Sequence, residues 1–155
     1  MENSHIILLK HSYQKLEKAV HLVRHSVQKI EPYDSKLCYS PDQLEPFDAL
    51  TGRFERSVEI ALNKFFRSVE LVESKVLSDT IRDRLNVMNK LDLISDVELW
   101  LDMRDIRNRI AFDYLPEKIE KIYHDIIFKF SLELDRLMKK NVKFLKKEKF
   151  QSNPE

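Results

Sequence analysis

The near absence of glycine constrains this chain most. Gly52 is the one glycine in 155 residues, whereas average usage predicts about ten. Tight turns between β-strands often need the positive φ that glycine supplies, so a β-rich fold is nearly excluded. The glycine loops that hold phosphate in P-loop and dinucleotide-binding proteins are excluded for the same reason. Since the length suits one hydrophobic core, we predict a single all-α domain.

Apolar residues recur at steps of three and four along five segments, the spacing of a helix with one buried face. The stripes run from Leu9 to Ile30, Phe47 to Val76, Ile81 to Leu91, Trp100 to Ile110 and Ile119 to Leu137. Short connections and five helices favour an antiparallel bundle of about five helices. We place the domain at residues 1–150 and predict a disordered tail over residues 151–155.

Local signals place the helix boundaries. Ser78 and Asp79 are candidate caps for the third helix, because short polar side chains accept hydrogen bonds from free amides. Ser95 and Glu98 have the spacing of a capping box for the fourth helix. Gly52 lies inside the second helix, where it costs about 1 kcal/mol relative to alanine, and it indicates a kink or a close approach there.

Charge and cysteine content narrow the class of protein further. The chain has 27 basic and 26 acidic side chains, and the basic excess lies near the C-terminal end, where six lysines lie between Lys139 and Lys149. That segment is either a solubilising helix end or a phosphate-binding tail. Cys38 stands alone, which excludes an internal disulfide. Neither a secretory segment nor a membrane-length apolar run is present, so we expect a cytoplasmic protein with no membrane contact.

One histidine pair has the spacing of a helical metal site. His21 and His25 are four residues apart and Glu17 precedes them by one turn, as such a site requires. No second helix offers an evident ligand pair, and the three residues lie off the apolar stripe. We therefore interpret them as a solvated face and predict neither a metal nor a cofactor.

The segment from Val97 to Tyr114 carries the most specific pattern. The matching residues are Trp100, Leu101, Met103, Arg107, Asn108 and Tyr114. They resemble the W-L-x-M, R-N and final tyrosine of the HEPN superfamily, in its branch of nucleotidyltransferase substrate-binding and toxin proteins. Arg53-Phe54-Glu55 and Glu59 agree more loosely with the second helix of that family. The likeness covers roughly residues 45–137 and implies a four-helix core plus a short helix.

One position departs from the family pattern: Phe112 replaces the motif histidine. The resemblance implies that active relatives use R-x4-H as a metal-independent ribonuclease site, with two copies facing each other across a homodimer. An arginine can stabilise a phosphate and a histidine can transfer a proton, but phenylalanine does neither. Loss of acid–base catalysis costs roughly a hundred- to ten-thousand-fold in rate. We therefore assign no catalytic residue and interpret Arg107, Asn108 and Phe112 as a degenerate motif.

The resemblance also implies partners. A minimal nucleotidyltransferase transfers AMP to the tyrosine of the motif in the toxin–antitoxin branch, and Tyr114 is that residue here. The candidate nucleotide- or RNA-binding residues are Arg104, Arg107, Asn108 and Arg109. We predict a homodimeric nucleotidyltransferase partner of a toxin–antitoxin type pair, which binds nucleotide or RNA through a degenerate ribonuclease site.

Two alternatives stay open. In the first, the chain is an active ribonuclease toxin in which another residue replaces the missing base. In the second, it is a helical interaction module without nucleotide chemistry. For the motif itself, a structural interpretation pairs Arg104, Arg107 and Arg109 with Asp102, Asp105 and Asp113. Whether the chain is an enzyme is left open, with the missing histidine arguing against it.

Overall fold

The structure is a computed structural model that describes residues 2–113 and 115–151, with side chains described over 4–113 and 115–146. Within these ranges the chain forms five helices and no strand, which confirms the all-α bundle. The helices are α1 (Glu2–Lys29), α2 (41–73), α3 (Ile81–Lys90), α4 (Val97–Phe112) and α5 (116–151).

Two of these helices contain a π-helical turn that the apolar stripes did not predict. In α2 the turn Ala61–Phe65 separates Pro41–Ile60 from Phe66–Glu73, and in α5 the turn Ile126–Phe130 separates Pro116–Asp125 from Ser131–Gln151. Such turns widen the helix locally and are frequent near functional sites. The first turn matters here because Leu62, within it, lines the cleft described below.

The five predicted stripes form one hydrophobic core. Phe54 of α2 stacks on Phe130 of α5 with ring centroids 5.8 Å apart, and Phe66 meets the indole of Trp100 edge-on at 5.2 Å. These four rings are 0–1 % exposed. Val76, predicted as the last member of the α2 stripe, is 68 % exposed beyond the helix end, so that assignment is wrong.

The cap of α3 differs from the prediction. Thr80 caps the helix, and its side chain accepts a hydrogen bond from the backbone amide of Asp83 at 3.0 Å. Ser78 and Asp79, the predicted caps, lie outside the helix. The hydroxyl of Ser78 instead donates to the buried carboxylate of Glu70. The Ser78 hydroxyl, which the local sequence predicted as a cap, is therefore used in a contact with the preceding helix, α2.

At the start of α4, too, the cap is a different residue from the predicted one. Asp96 is the cap, with its carboxylate accepting from the amide of Glu98 at 3.1 Å. The predicted capping box at Ser95 is wrong, because the Ser95 hydroxyl donates to Glu133 of α5 at 2.9 Å. The indole N–H of Trp100 donates to the same carboxylate at 2.8 Å. Glu133 therefore fixes the N-terminal turn of α4 to α5.

Some predictions fall on residues that the structure does not describe. Of the tail predicted over residues 151–155, only Gln151 is described, and it is the last residue of α5. Tyr114 also lies outside the described residues. None of the helices in the described ranges has the length and apolar content that a membrane span needs.

Candidate functional site

A cleft of about 1000 Å³ lies between α2 and α4. Its floor is formed by Val58 and Leu62 of α2 and by Met103 of α4. The charged side chains around it are Glu55, Arg56, Glu59, Arg82, Asp102, Arg104, Asp105 and Arg107. Four arginines thus face four carboxylates, so the cleft is highly charged but has no net charge.

The α4 wall follows from the way this helix is buried. Trp100, Met103 and Ile106 are 0–1 % exposed and hold one face of α4 against the core. Arg104 and Arg107 are exposed and lie one helical turn apart, on a common face because residues three apart are neighbours. Both side chains line the cleft.

Arg104 and Arg107 make no hydrogen bond and no ion pair with any residue that the structure describes. This distinguishes them from Arg82, whose guanidinium contacts Glu98 at 2.6 Å. The structural interpretation of the motif, in which arginines of α4 pair with Asp102, Asp105 and Asp113, is therefore wrong for the described residues. On the α4 wall, both guanidinium groups are therefore able to bind a ligand.

Glu55 faces these arginines from α2. Partial burial raises the pKa of its carboxyl group, the nearby Arg107 guanidinium opposes that rise, and Glu59 adds to it. The carboxylates of Glu55 and Glu59 lie on one face of α2 because the two residues are four positions apart. Carboxylates accept hydrogen bonds from hydroxyl groups, whereas guanidinium groups donate to phosphate oxygens.

The other two candidate binding residues differ in their surroundings. Asn108 lines the cleft, and its side-chain amide donates to Asp105 at 3.2 Å. Arg109 points to α5, where its guanidinium lies 4.0 Å from the carboxylate of Asp125, and it does not line the cleft. The structure thus brings Arg104, Arg107 and Asn108 together and separates Arg109 from them.

Phe112 is the last residue of α4 and is 75 % exposed. It does not line the cleft, because five residues correspond to a rotation of about 140° around an ideal helix. The Phe112 ring is therefore not part of the cleft that the described residues form beside Arg107.

Part of the α2 wall was not predicted from the sequence. Arg56 and Asn63 line the cleft but match no motif. A signal was present, since Gly52, Arg56, Glu59 and Asn63 follow one another at steps of three or four. That spacing defines a polar face of α2. At Gly52 a Cβ would have no neighbour within 4 Å, so the predicted close approach is wrong.

No group of three His, Cys, Asp or Glu side chains in the described chain is arranged to hold a metal ion. His21 is exposed on α1 and lines a different groove. Cys38 is exposed in the connection between α1 and α2. The chemistry of the cleft is therefore that of guanidinium, amide and carboxylate groups.

Comparison with known proteins identifies a family. No curated protein is significantly similar to the chain. The family described as nucleotidyltransferase substrate binding protein like matches residues 7–143, a range that reaches all five helices. The chain belongs to the nucleotidyltransferase substrate binding protein-like family.

Proposed function

We propose that this protein is the substrate-binding partner of a nucleotidyltransferase and that the α2–α4 cleft binds the phosphates of a nucleotide. The family supports the first part. The main support for phosphate binding is that the guanidinium groups of Arg104 and Arg107 line the cleft and have no ion pair among the described residues. A neighbouring gene for a transferase with a Gly-Ser motif, whose product co-purifies with this protein, would support the partnership.

The charge balance of the cleft favours a nucleotide over a long RNA. Binding of a polyanion gains from a surplus of cations, because each neutralised phosphate releases counterions. Here the cleft has as many carboxylates as arginines, so it has no surplus of cations. A mononucleotide suits such a lining, since two guanidinium groups can bind its phosphates while Glu55 and Glu59 accept from ribose hydroxyls.

Substitution of Arg107 tests the nucleotide site. In Arg107→Ala we expect the dissociation constant for a fluorescent adenine nucleotide to rise about tenfold or more, because a charge-assisted hydrogen bond is worth about 1.5–3 kcal/mol. Fluorescence anisotropy measures the constant. The matched control is Arg67→Ala on α2, an exposed arginine that does not line the cleft. Equal affinities of native protein and Arg107→Ala would contradict the proposal.

We also propose that the ribonuclease site is degenerate. This part of the proposal depends on the resemblance of the motif to that of the HEPN superfamily. Phe112 offers no group that can transfer a proton. We expect RNA incubated with the native protein to remain as intact as with Arg107→Ala, as measured by gel electrophoresis of a labelled transcript. Phe112→His is the second arm, because cleavage gained there would identify the missing histidine as the cause. Cleavage by the native chain that Arg107→Ala abolishes would favour the active toxin instead.

A homodimer is also proposed, since the composite site of HEPN relatives needs two copies. Exposed apolar side chains support it: Phe112 and Leu115 are 75 % and 56 % exposed, and Phe128 and Leu132 of α5 are 50 % and 61 % exposed. Phe128 and Leu132 are four residues apart and therefore share one face of α5, and contiguous apolar surface marks interaction sites. We expect a dimer in sedimentation equilibrium at micromolar concentration, and a monomer would contradict this part of the proposal.

The remaining parts of the proposal concern the pathway. A toxin–antitoxin type pair follows from the resemblance, with this chain as the binding member. Tyr114 is the proposed acceptor of AMP. Arg107 and Arg109 lie close to it in sequence and could steady the incoming phosphates.

A further inference from the structure

A second groove lies between α1 and the C-terminal half of α5. It consists of two cavities of about 1040 Å³ and 240 Å³, which share Tyr13 and Val142 as lining residues. None of its lining residues belongs to the α2–α4 cleft. Whatever occupies this groove is therefore separate from the proposed nucleotide.

The floor of the groove is apolar and is built from matching stripes on the two helices. Met138, Val142 and Leu145 recur at steps of four and three on α5, and Ile6 and Tyr13 contribute from α1. Val142 is 41 % exposed where the two cavities meet. Arg24 of α1 contacts Asp135 of α5 at 2.6 Å, while Ile6 lies near Val142 and Leu145. The two helices are therefore antiparallel where they form the groove.

The rim of the groove is basic. Lys10 and Lys18 line it from α1, and Lys139 and Lys146 line it from α5. None of the four has an ion pair among the described residues. The two carboxylates of the groove are already engaged, because Asp135 binds Arg24 and Glu17 accepts a hydrogen bond from Tyr13 at 3.3 Å.

From this lining we infer that the α1–α5 groove binds an amphipathic helix of a protein partner, with acidic residues on both flanks of its apolar face. A helix satisfies its own backbone hydrogen bonds and can lie on an apolar floor without unpaired polar groups. The two lysine pairs complement two rows of carboxylates. On each rim the lysines are seven or eight residues apart, about 10–12 Å along the helix, so acidic residues two turns apart on the occupant meet them.

Other occupants fit this groove less well. An RNA strand would place phosphates over an apolar floor. Tyr13 and His21 supply two rings among the residues that line the groove, and they come from one helix, whereas single-stranded RNA is held by several successive stacked rings. A lipid surface is flat, and this surface is concave. An extended peptide would leave backbone amides without partners along the floor.

A designed helix is the probe for this inference. We would use a labelled peptide of about 18 residues, long enough for about 27 Å of groove, with leucines on one face and glutamates on both flanks. The comparison peptide has lysines in place of the glutamates. Anisotropy titration against the full chain is expected to show saturable binding of the acidic peptide, weakened as NaCl rises from about 50 mM to about 500 mM, and no binding of the basic peptide.

Paired variants locate the binding. Lys18→Glu/Lys139→Glu reverses two rim charges on exposed side chains, and we expect binding of the acidic peptide to weaken about tenfold or more. The control Lys15→Glu/Lys118→Glu reverses two exposed lysines of the same helices outside the groove. Val142→Ser tests the floor and is expected to weaken binding about fivefold, against Val76→Ser as an exposed control.

Three results would overturn the inference. The first is no saturable binding of the acidic peptide up to about 1 mM. The second is equal binding of the acidic and basic peptides. The third is acidic-peptide binding that Lys18→Glu/Lys139→Glu leaves unchanged. A single-stranded RNA oligomer whose binding is lost in the same variant, without any peptide binding, would assign the groove to nucleic acid. Circular dichroism of each variant establishes that it is folded.

Discussion

Replacing Arg84 with leucine is expected to lower the free energy of unfolding by about 3–5 kcal/mol. The guanidinium of Arg84 donates to the carboxylate of Glu70 at 2.7 Å and to the carbonyl of Leu62 at 3.0 Å. Glu70 is 1 % exposed, so the substitution leaves a buried carboxylate without its cation. Urea denaturation followed by circular dichroism measures the loss.

Two further variants separate this effect from a simple loss of charge. Arg82 lies on the same helix and is ion-paired with Glu98, but both side chains are more than half exposed. Arg82→Leu is therefore expected to leave the unfolding midpoint nearly unchanged, because exposed ion pairs contribute little. The double variant Arg84→Leu/Glu70→Leu should recover much of the loss, since it removes the uncompensated charge. A similar effect of Arg84→Leu and Arg82→Leu would contradict this account.

The Arg84 contact also bears on the candidate site. Leu62 belongs to the π turn of α2 and lines the cleft, so Arg84 holds the backbone of one cleft wall from behind. We therefore expect Arg84 to be a positioning residue for the proposed nucleotide site. Its removal should weaken nucleotide binding in the folded protein, although Arg84 does not line the cleft.

The five helices could be predicted because their information is local. A stripe of apolar side chains at steps of three and four is buried whatever its neighbours are, and the single glycine leaves few alternatives to helix. The spacing of apolar residues did not predict the two π turns. This is because a π turn changes the backbone hydrogen-bond pattern more than it changes which side chains are apolar.

The helix caps could not be predicted because their information is not local. Ser78 and Ser95 have the residue type and position of caps, yet each hydroxyl donates to a buried carboxylate from another helix, Glu70 and Glu133 respectively. A charge buried in the core gains more from these donors than a solvated helix end loses. Thr80 takes over the first of these capping roles.

The α4 wall of the candidate site was predictable, and of the α2 wall only Glu55 and Glu59 had been noted, as looser matches to the family pattern. The motif resemblance drew attention to Arg107 and Asn108 of α4, and Arg104 lies on the same face. Arg56 on the opposite wall belongs to no motif and appears in the cleft because α2 packs against α4. Arg109 shows the limit of reasoning from sequence distance, since two residues beyond Arg107 the side chain faces Asp125 of α5.

Glu133→Ala is expected to lower the free energy of unfolding by about 3 kcal/mol or more. The Glu133 carboxylate is 5 % exposed and accepts hydrogen bonds from the Trp100 indole and from the hydroxyl and amide of Ser95. Alanine leaves these donors unpaired, and the Trp100 side chain is fully buried. Since Trp100 is the one tryptophan of the chain, its fluorescence follows both unfolding and the local environment of this contact.

Glu117→Ala is the matched control, because Glu117 lies in the first turn of the same helix and is exposed. Its removal should leave the free energy of unfolding within about 0.5 kcal/mol of the native value. Glu133→Gln retains one acceptor oxygen but adds two donors that face the N–H groups of Ser95 and Trp100. We therefore expect its stability to lie between those of the native protein and Glu133→Ala. If Glu133→Ala unfolds like Glu117→Ala, the carboxylate does not fix α4, and the positions of Arg104 and Arg107 depend on apolar packing alone.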